Sequence, residues 1–523
     1  MQQSSDPETV SASAPVPDTA DQDRVFAFLS DPLTHGEHPV RRIDTHAASV
    51  FLAGTRALKV KRAVKFPFLD YSTLEKRKEA CEQEIEVNRN FAPQIYRGCV
   101  PITKNSDGSL QIDGQGTVVE WAVDMLRFDE SRTLDKLAAQ GAIDRALSEG
   151  VADAIRTVHQ EAPIRRQSSW LPSIAHLIEA NSAAFAGSFD SQEVKDLERN
   201  SYAFFQRTLP ILQRRERDGL IRRCHGDLHL SNIAIIDGKP ALFDAIEFDP
   251  AVATTDVLYD LAFILMDLLH YEQVEAANLI LARYLLSSTL EDLDGLIALP
   301  LFMSIRAGIR ANVLLARRHK NPKESHALRE TAAAYFSLAV SLIKSAAPKL
   351  IAVGGLSGTG KTTLARKLAQ FPGPPPGALV LRSDIFRKRR FGVSDAERLP
   401  AESYTSEVSR LVYEEVLDRA ERILRHGYSV IIDAAFTKPE QRSEITKLAK
   451  TVNVPFVGFF LHADLATRLR RVGSRVNDAS DATTQIVQRQ ENYEIGGVDW
   501  TLIEASGTPE ETLAKARVTI ESA

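Results

Sequence analysis

Three side chains around one short loop have the types and spacing needed to bind a cation and orient an alcohol. The stretch HGDLHLSN contains Asp227 and, five residues later, Asn232, and Asp244 follows after a further twelve residues. The intervening IAIIDGKPALF consists of two apolar runs joined by Asp-Gly, which predicts a β-hairpin because both turn positions favour positive φ. Such a hairpin brings Asn232 and Asp244 together as oxygen ligands suited to Mg²⁺, leaving Asp227 to accept a hydroxyl proton.

Simpler interpretations of these residues remain open at the level of sequence. Asp227 and Asn232 are residue types that often occupy turns and caps. His225 and His229, which flank them, are expected to brace the loop rather than to act as bases. Glu247 and Asp249 either support the metal site or are ordinary surface carboxylates.

A glycine-rich loop in the second half of the chain has the pattern of a phosphate-binding site. The run GLSGTGKT, residues 355–362, satisfies GxxxxGK[ST] and lies between an apolar strand and the helical TLARKLAQ. Its backbone N–H groups and the helix N-terminus attract phosphate without dedicated side chains. The residues predicted to bind nucleotide are Gly355, Ser357, Gly358, Thr359, Gly360, Lys361, Thr362 and Thr363. Lys361 is expected to reach the β- and γ-phosphates, and Thr362 to bind Mg²⁺.

Two carboxylates in this half follow apolar strands. Asp433 ends the strand of residues 430–432 and is the expected second Mg²⁺ ligand, with an ordinary strand-end Asp as the alternative. Asp384, in VLRSDIFRK, lies at the carboxyl edge of another strand, where α/β folds bind ligands. We expect Asp384 to orient a substrate hydroxyl.

The elements that position these residues change character along the chain. Short β runs and one charged helix occupy residues 25–102, helical periodicity dominates residues 134–343, and strands alternate with helices after residue 348. The polar, Pro/Ser-rich start predicts a disordered tail over residues 1–22. We therefore predict a first domain over residues 23–347 and a second, with a parallel sheet, over residues 348–523.

The first constellation resembles the aminoglycoside phosphotransferase and choline kinase superfamily. HGDLHLSN with LFDAIEFD matches its HGDxxxxN motif and the metal-binding Asp that follows, and the resemblance extends over about residues 25–345. It implies an α+β bilobal kinase-like domain that uses ATP, followed by an α/β P-loop domain with a parallel sheet. By this resemblance Asp227 is the catalytic base, and Asn232 and Asp244 are Mg²⁺ ligands.

The same resemblance implies a lysine on a strand that binds ATP phosphates and pairs with a helix glutamate. Lys59, in RALKVKR, is assigned this role, with Lys61 as a competitor expected on the opposite face of the strand. Glu84 is assigned as the partner, with Glu82 and Glu86 as rivals. No GxGxxG precedes Lys59, so the loop that covers the phosphates differs from the protein-kinase form, and a solvated edge-strand lysine remains the alternative.

The second constellation resembles the P-loop kinases that include gluconate kinase and the zeta toxins. The resemblance covers about residues 348–515 and implies that Asp384 is the catalytic base and that Arg387 contacts substrate or phosphate. Arg471 and Arg475 stand where those kinases carry lid arginines, which neutralise charge on the transferring phosphoryl group. Either arginine is also consistent with an ordinary solvated helix face.

Composition limits the class of protein. Among 523 residues, the formal net charge of -5 gives no electrostatic support for nucleic-acid binding. The three cysteines, Cys81, Cys99 and Cys224, are too few for a disulfide framework and favour a reducing compartment, the cytoplasm. The most apolar run, VLYDLAFILMDLL, is shorter than the ~20 residues of a membrane span and predicts a buried core helix.

The sequence thus predicts a bifunctional enzyme that transfers the γ-phosphate of Mg·ATP to hydroxyl groups of small molecules. One alternative makes the P-loop domain a nucleotide-sensing regulator of a single catalytic domain. Another, antibiotic phosphorylation, has no specific support because a fold leaves the acceptor open. Protein phosphorylation ranks last, since no activation segment follows Asp244. The acceptors and the oligomeric state are left open.

Overall fold

The structure is a computed structural model that describes residues 19–66, 69–166, 168–317, 322–344, 346–474 and 479–521. Of the tail predicted over residues 1–22, residues 1–18 lie outside the described residues. Residues 19–22 are helical rather than disordered, which corrects the end of that tail. Tertiary contacts hold these residues in the helix, because the buried Gln22 donates hydrogen bonds to the Lys61 carbonyl at 2.9 Å and to Glu120 at 2.7 Å.

The elements of the described residues are numbered in chain order. The helices are α1 Thr19–Ser30, α2 Leu74–Asn88, α3 Leu134–Ala139, α4 Arg145–Glu161, α5 Trp170–Phe185, α6 Ser191–Arg217, α7 Val257–His270, α8 Val274–Leu285, α9 Leu290–Leu293, α10 Leu299–Ala316, α11 Pro322–Leu342, α12 Lys361–Ala369, α13 Ser383–Arg390, α14 Ser406–Arg425, α15 Pro439–Val452, α16 Leu465–Gly473, α17 Thr484–Gln490 and α18 Pro509–Glu521. The strands are β1 Val40–Asp44, β2 Ala48–Ala53, β3 Arg56–Lys61, β4 Lys65–Phe66, β5 Leu69–Asp70, β6 Tyr96–Lys104, β7 Leu110–Ile112, β8 Thr117–Leu126, β9 Ile221–Arg223, β10 Ile233–Ile236, β11 Lys239–Leu242, β12 Thr254–Asp256, β13 Leu350–Gly355, β14 Leu379–Arg382, β15 Val430–Asp433, β16 Phe456–His462 and β17 Thr501–Glu504.

The chain divides into two compact units. The first contains the described residues up to Leu137, together with Gln160–Ala162 and Arg223–Thr255. The second contains Ala138–His159, Pro163–Arg222 and the described residues from Asp256 onwards. These units are sets of mutually contacting residues rather than consecutive stretches of chain, so the limits predicted at residues 23, 347 and 348 remain a prediction.

The first unit is built on a six-stranded antiparallel sheet with the strand order β1-β2-β3-β8-β6-β7. Helix α1 packs on one face through Leu29, against Leu58 and Val60 of β3. Helix α2 packs on the other face through Ile85, against Val123 of β8. The unit is therefore of the α+β type, as predicted.

The two lysines of β3 share the α2 face of the sheet. The sequence analysis expected Lys61 on the face opposite to Lys59, and that expectation is wrong. Residues two positions apart in a strand point to the same side, whereas Leu58 and Val60 point to the other. Both lysines consequently reach the same acidic side chain of α2.

The predicted hairpin is confirmed. Strands β10 and β11 pair in antiparallel register, and the turn between them has positive φ at Asp237, 49°, and at Gly238, 75°. Left-handed backbone at both central positions matches the right-handed twist of the flanking strands, which is why Asp-Gly predicts this turn. The hairpin returns the chain so that Asp244 follows it directly.

The second unit contains a five-stranded parallel sheet with the order β14-β15-β13-β16-β17. All six residues of β13 are buried, as expected of a strand covered on both faces. Helix α7, which contains the run VLYDLAFILMDLL, is buried along almost its whole length and confirms the predicted core helix. Among the described residues one stretch, Leu290–Ala316, is long and apolar enough to cross a membrane, but it is mostly buried inside the protein.

Candidate active sites

Lys59 lies between two carboxylates in the first unit. Its Nζ is 2.9 Å from Oε1 of Glu84 and 2.7 Å from Oδ1 of Asp244. Burial alone would lower the pKa of Lys59, but the charges of Asp244 and Glu84 outweigh it and raise that pKa well above its ordinary value. The structure therefore brings the predicted Lys59–Glu84 pair together and adds the predicted metal-binding Asp244 to it.

Glu84 also binds Lys61, a contact that the sequence analysis missed. Lys61 Nζ lies 2.5 Å from Glu84 Oε2 and 2.6 Å from Glu247 Oε1. Burial raises the pKa of Glu84, yet the charges of the two lysines outweigh it, so the pKa falls below its ordinary range. Glu84 is fully buried, whereas its rivals Glu82 and Glu86 are exposed, which selects Glu84 as the partner.

Asn232 and Asp227 occupy one loop and contact each other directly. The Asn232 side-chain nitrogen donates to the Asp227 carbonyl oxygen at 2.9 Å and to its carboxylate at 3.3 Å. The carbonyl of Asn232 accepts from the Phe243 N–H at 2.9 Å, so the loop is fixed to the far end of the hairpin, next to Asp244. Because the amide nitrogen of Asn232 points at Asp227, its carboxamide oxygen is the atom suited to bind a cation.

Asp244 occupies an unusual backbone position. Its φ is 61°, in the left-handed region that non-glycine residues seldom adopt. The Tyr96 hydroxyl lies 3.1 Å from its N–H, and the charge of Lys59 lowers the pKa of its carboxyl despite burial, which acts in the opposite direction. Asp244 is therefore held ionised, which suits it to bind Mg²⁺.

The two histidines of the loop differ in their surroundings. His225 is buried, its Nε2 lies 2.9 Å from the Phe243 carbonyl oxygen, and its ring meets the edge of Phe91 at a centroid distance of 5.3 Å. His229 Nε2 lies 3.4 Å from Asp227 Oδ2. His225 thus has the contacts expected of a bracing residue, and His229 touches the proposed base.

Asn88 is a further residue that the sequence did not indicate. Its side chain accepts from the Ala245 N–H at 2.7 Å and donates to the Ala245 carbonyl at 3.2 Å. Asn88 lies one helical turn after Glu84 on α2, and its amide also donates to the Glu84 carbonyl at 3.0 Å. Helix α2 therefore positions both the glutamate and the segment that carries Asp244.

The glycine-rich loop of the second unit has the expected strand-loop-helix geometry. Gly358 and Gly360 have φ of 85° and 93°, and α12 begins directly after Gly360. A Cβ on Gly358 would lie 2.7 Å from the Arg468 carbonyl oxygen, so the chain passes where only glycine fits. Lys361 Nζ donates to the Leu356 carbonyl at 3.1 Å, so the loop wraps around this lysine.

The two predicted metal ligands of this unit are in contact. The Thr362 hydroxyl donates to Asp433 Oδ2 at 2.6 Å. Arg382, which the sequence analysis did not single out, donates to the same oxygen at 3.2 Å. A hydroxyl beside a carboxylate at the start of α12 is the donor set that a Mg²⁺–phosphate complex uses.

Two residues that brace the loop were also missed. The N–H of Ser357 donates to Oε1 of Gln490 at 2.8 Å, and Arg468 donates to the Ser357 carbonyl at 2.9 Å. Arg468 is buried and also pairs with Glu491. Nothing in the spacing of these residues distinguishes them from ordinary helix positions, since only the tertiary structure brings α16 and α17 to the loop.

A cavity of about 1410 Å³ extends from the glycine loop and is lined by Asp384, Arg387 and Arg471. Burial raises the pKa of Asp384 above its ordinary value, although the nearby charges of Arg382 and Lys361 act to lower it. Asp384 and the glycine loop thus border one space, as the sequence predicts for an acceptor carboxylate.

The predicted arginines have different outcomes. Arg387 is buried and donates to the Ser403 carbonyl at 2.7 Å. Arg471 donates to the carbonyls of Ala505 and Gly507, each at 2.8 Å, and its Nη1 lies 3.7 Å from the position a Cβ on Gly360 would take. Arg471 is therefore adjacent to the glycine loop, whereas Arg475 lies outside the described residues.

Comparison with known proteins gives two family matches. Residues 41–296 match the model described as "Phosphotransferase enzyme family", and residues 350–493 match the model described as "AAA domain". An uncharacterized protein of Mycobacterium tuberculosis (strain ATCC 25618 / H37Rv) is 29% identical over 472 residues, which are 87% of this chain and 90% of that protein.

Solved structures resemble parts of the chain. A choline/ethanolamine kinase family protein from Mesorhizobium loti has 12% identity and a TM-score of 0.38, covering 62% of this chain and 99% of its own. A gluconokinase from Sinorhizobium meliloti 1021 has 18% identity and a TM-score of 0.25, covering 34% of this chain and 93% of its own.

Proposed function

We propose that this enzyme carries two separate kinase activities, because residues 41–296 match the model described as "Phosphotransferase enzyme family" and residues 350–493 match a P-loop domain of the kinase type. Each domain would bind Mg·ATP and transfer the γ-phosphate to a hydroxyl group of a small molecule. The acceptors differ if the two sites act independently, or are successive forms of one molecule if they act in sequence.

The observation that carries the proposal is the placement of Lys59 between Glu84 and Asp244. A partly buried lysine held by a helix glutamate is preorganised to meet phosphate oxygens, and Asp244 beside it is positioned to hold their metal ion. In the P-loop domain the contact between Thr362 and Asp433 supports the same proposal. Each site thus combines a cationic side chain placed to bind phosphate with a carboxylate placed to bind a metal ion.

In the first domain, Mg²⁺ would neutralise phosphate charge when held by Asn232 and Asp244. Lys59 would bind the α- and β-phosphates, and Glu84 would keep its ammonium in place. Asp227 would accept the proton of the acceptor hydroxyl, and its backbone contact with Asn232 fixes the distance between base and metal ligand. Positioning and charge account for most of the catalysis expected of such a site.

In the second domain, the amides from Gly358 to Thr363 and the ammonium of Lys361 would hold the phosphates, with Thr362 and Asp433 binding the metal ion. Asp384 would orient the acceptor hydroxyl within the cavity. Arg471, beside Gly360, would add positive charge next to the transferring group.

We also propose that the protein acts in the cytoplasm. Cys81, Cys99 and Cys224 are not joined in disulfides, which agrees with a reducing compartment.

A phosphorylation screen tests both activities at once. The protein is incubated with γ-labelled ATP and a metabolite extract, using wild type, Asp227→Ala and Asp384→Ala, with the exposed Asp499→Ala as a control. We expect labelled products that disappear separately in the two variants, and all of them to disappear when EDTA removes Mg²⁺. A wild-type protein that labels nothing in such an extract contradicts the proposal.

A regulatory P-loop domain is the second candidate, favoured by direct contacts between that domain and the helices of the second unit. Arg283 of α8, for example, donates to Asp395 at 3.0 Å. If the P-loop domain is regulatory, we expect Lys361→Ala to change the rate at which the Asp227-dependent product forms. Asp384→Ala should then still form every labelled product of the wild type. A product lost only in Asp384→Ala excludes it.

A further inference from the structure

Ser480 and Asp481, which precede α17, lie against the acceptor side of the P-loop site. Burial raises the pKa of the Asp384 carboxyl, and a hydrogen bond from the Ser480 hydroxyl acts in the opposite direction. Ser480, Asp481 and Asp384 all line the same cavity. A segment far from Asp384 in sequence therefore contacts the one carboxylate proposed to orient the acceptor.

Three hydrogen-bond or ion-pair donors from a different part of the domain contact the Asp481 carboxylate. Its Oδ2 accepts from the Tyr404 hydroxyl at 2.6 Å and from the Leu399 N–H at 3.1 Å. Its Oδ1 lies 3.2 Å from Nζ of Lys388, whose side chain is 1% exposed. A buried ammonium without its carboxylate is strongly unfavourable, so this pair fixes where residues 480 and 481 lie.

Tyr404 in turn supports the wall of the cavity next to Asp384. The Arg387 guanidinium lies 4.8 Å from the centre of the Tyr404 ring, within range of a cation–π contact. Arg387 also donates to Ser409 Oγ at 3.3 Å, which holds it on the same wall. Asp481 thus holds Tyr404, and Tyr404 supports the arginine that lies on the helix of Asp384.

We propose that Ser480 and Asp481 are positioning residues of the P-loop kinase site. Ser480 orients the Asp384 carboxylate toward the acceptor, and Asp481 holds the Tyr404–Arg387 wall at a fixed distance from it. The inference rests on the proposed function of this domain, because it gives Asp384 an acceptor to orient. Misplacing a reacting group by about 1 Å costs up to about 10²-fold in rate, so small displacements here have measurable effects.

The test measures the Asp384-dependent labelled product with the metabolite extract as the acceptor source. Ser480→Ala is expected to lower its kcat about tenfold, while Ser480→Thr, which keeps the hydroxyl, stays within about twofold of wild type. Tyr404→Phe removes the donor of the hydrogen bond to Asp481, and Asp481→Asn removes the charge that pairs with Lys388. Each is expected to give a similar loss. The KM for ATP is expected to stay unchanged in all four variants, since the contacts of these side chains described above lie on the acceptor side of the cavity. Asp499→Asn is the matched control.

Several results separate this inference from the proposed function. If Ser480→Ala and Tyr404→Phe retain the wild-type kcat for an Asp384-dependent product, the inference is wrong while the proposed function stands. A rise in the KM for ATP without a fall in kcat also overturns it, because that result assigns the residues to nucleotide binding. If no product depends on Asp384, the proposed function of the domain and the inference fall together. Tyr404→Phe keeps the test valid if Asp481→Asn does not fold, since Tyr404 lies at the surface.

Discussion

At the scale of single residues, the first site is organised by how two lysines share one glutamate. Lys59 and Lys61 both contact Glu84, but Lys59 continues to Asp244 and Lys61 to Glu247. The side chain of Lys61 is only 3% exposed, whereas that of Lys59 is 16% exposed. The more accessible lysine is thus the one suited to bind a ligand, and the buried one is suited to hold the glutamate.

Substituting each lysine separates these two roles. We expect Lys59→Ala to lower kcat/KM of the Asp227-dependent product by about 10²-fold with a small change in melting temperature, because it removes a phosphate-binding charge. Lys61→Ala is expected to cost about 3–5 kcal/mol of unfolding free energy, because it leaves Glu247 buried without its cation. Denaturant unfolding and initial rates measure both effects. Equal rate losses with equal stabilities would refute this division.

The pKa of Asp384 predicts a pH dependence for the second site. Burial raises that pKa, so the ionised form that can accept a proton is lost at a higher pH than for an ordinary aspartate, near 3.9. We expect the rate of the Asp384-dependent product to fall as the pH drops, with a midpoint above that of an ordinary aspartate. The measurement is kcat/KM against pH under conditions where the protein stays folded. A rate that stays constant down to pH 4 would contradict it.

At the scale of elements, helix α2 sets the geometry of the first site. Its Glu84 and Asn88, four residues apart, lie on one face of the helix. Glu84 reaches the lysines of β3, and Asn88 binds the backbone of Ala245, next to Asp244. One rigid helix therefore fixes the distance between the phosphate-binding lysine and the predicted metal ligand.

Asn88→Ala tests this role of α2. It leaves the buried N–H of Ala245 without its acceptor, which costs about 1–3 kcal/mol of unfolding free energy. We also expect a lower rate of the Asp227-dependent product, because Asp244 is no longer held in place. Asn90→Ala is the control, since Asn90 lies two residues after the end of α2, is exposed, and donates from its side chain to the carbonyls of Glu86 and Val87. Equal losses of stability and rate in both variants would mean that the contact between Asn88 and Ala245 is not what positions Asp244.

At the scale of the whole molecule, polar contacts join the P-loop domain to the helices of the second unit. Asp294 is 3% exposed and pairs with Arg214 of α6, with Arg422 of α14 at 2.9 Å and with His426 at 2.7 Å. Asn278 of α8 donates to the Ala378 carbonyl at 2.9 Å, just before β14. These contacts explain why the helices and the parallel sheet form one compact unit.

Asp294→Asn is expected to weaken that junction. Burial raises the pKa of Asp294, but the hydrogen bond from Arg422 and the charge of His426 outweigh it, so the carboxyl stays ionised. Its contribution to stability is therefore present above the unfolded pKa, near 3.9, and is lost as the pH falls through the lower folded value. At neutral pH we expect a fall of a few degrees in melting temperature, measured by calorimetry, with the exposed Asp418→Asn unchanged. Equal melting temperatures for both variants would contradict this.

The sequence alone determined the local chemistry of both halves. The Asp237-Gly238 turn, the glycine loop and the buried strand β13 are local patterns, and each formed as predicted because neighbouring residues dictate such structures. The pairing of Lys59 with Glu84 was also predicted, but from a family resemblance.

Tertiary structure decided which side chains meet across long sequence separations. Three examples join residues that share no local pattern. They are the ion pair of Lys61 with Glu247, the hydrogen bond between Asn88 and Ala245, and the contact of Ser480 with Asp384. The helix at residues 19–22 likewise depends on partners elsewhere, since Gln22 bonds to β3 and β8. Spacing along the chain encodes turns, strand faces and loops, whereas burial and the pairing of distant charges exist only once the chain has folded.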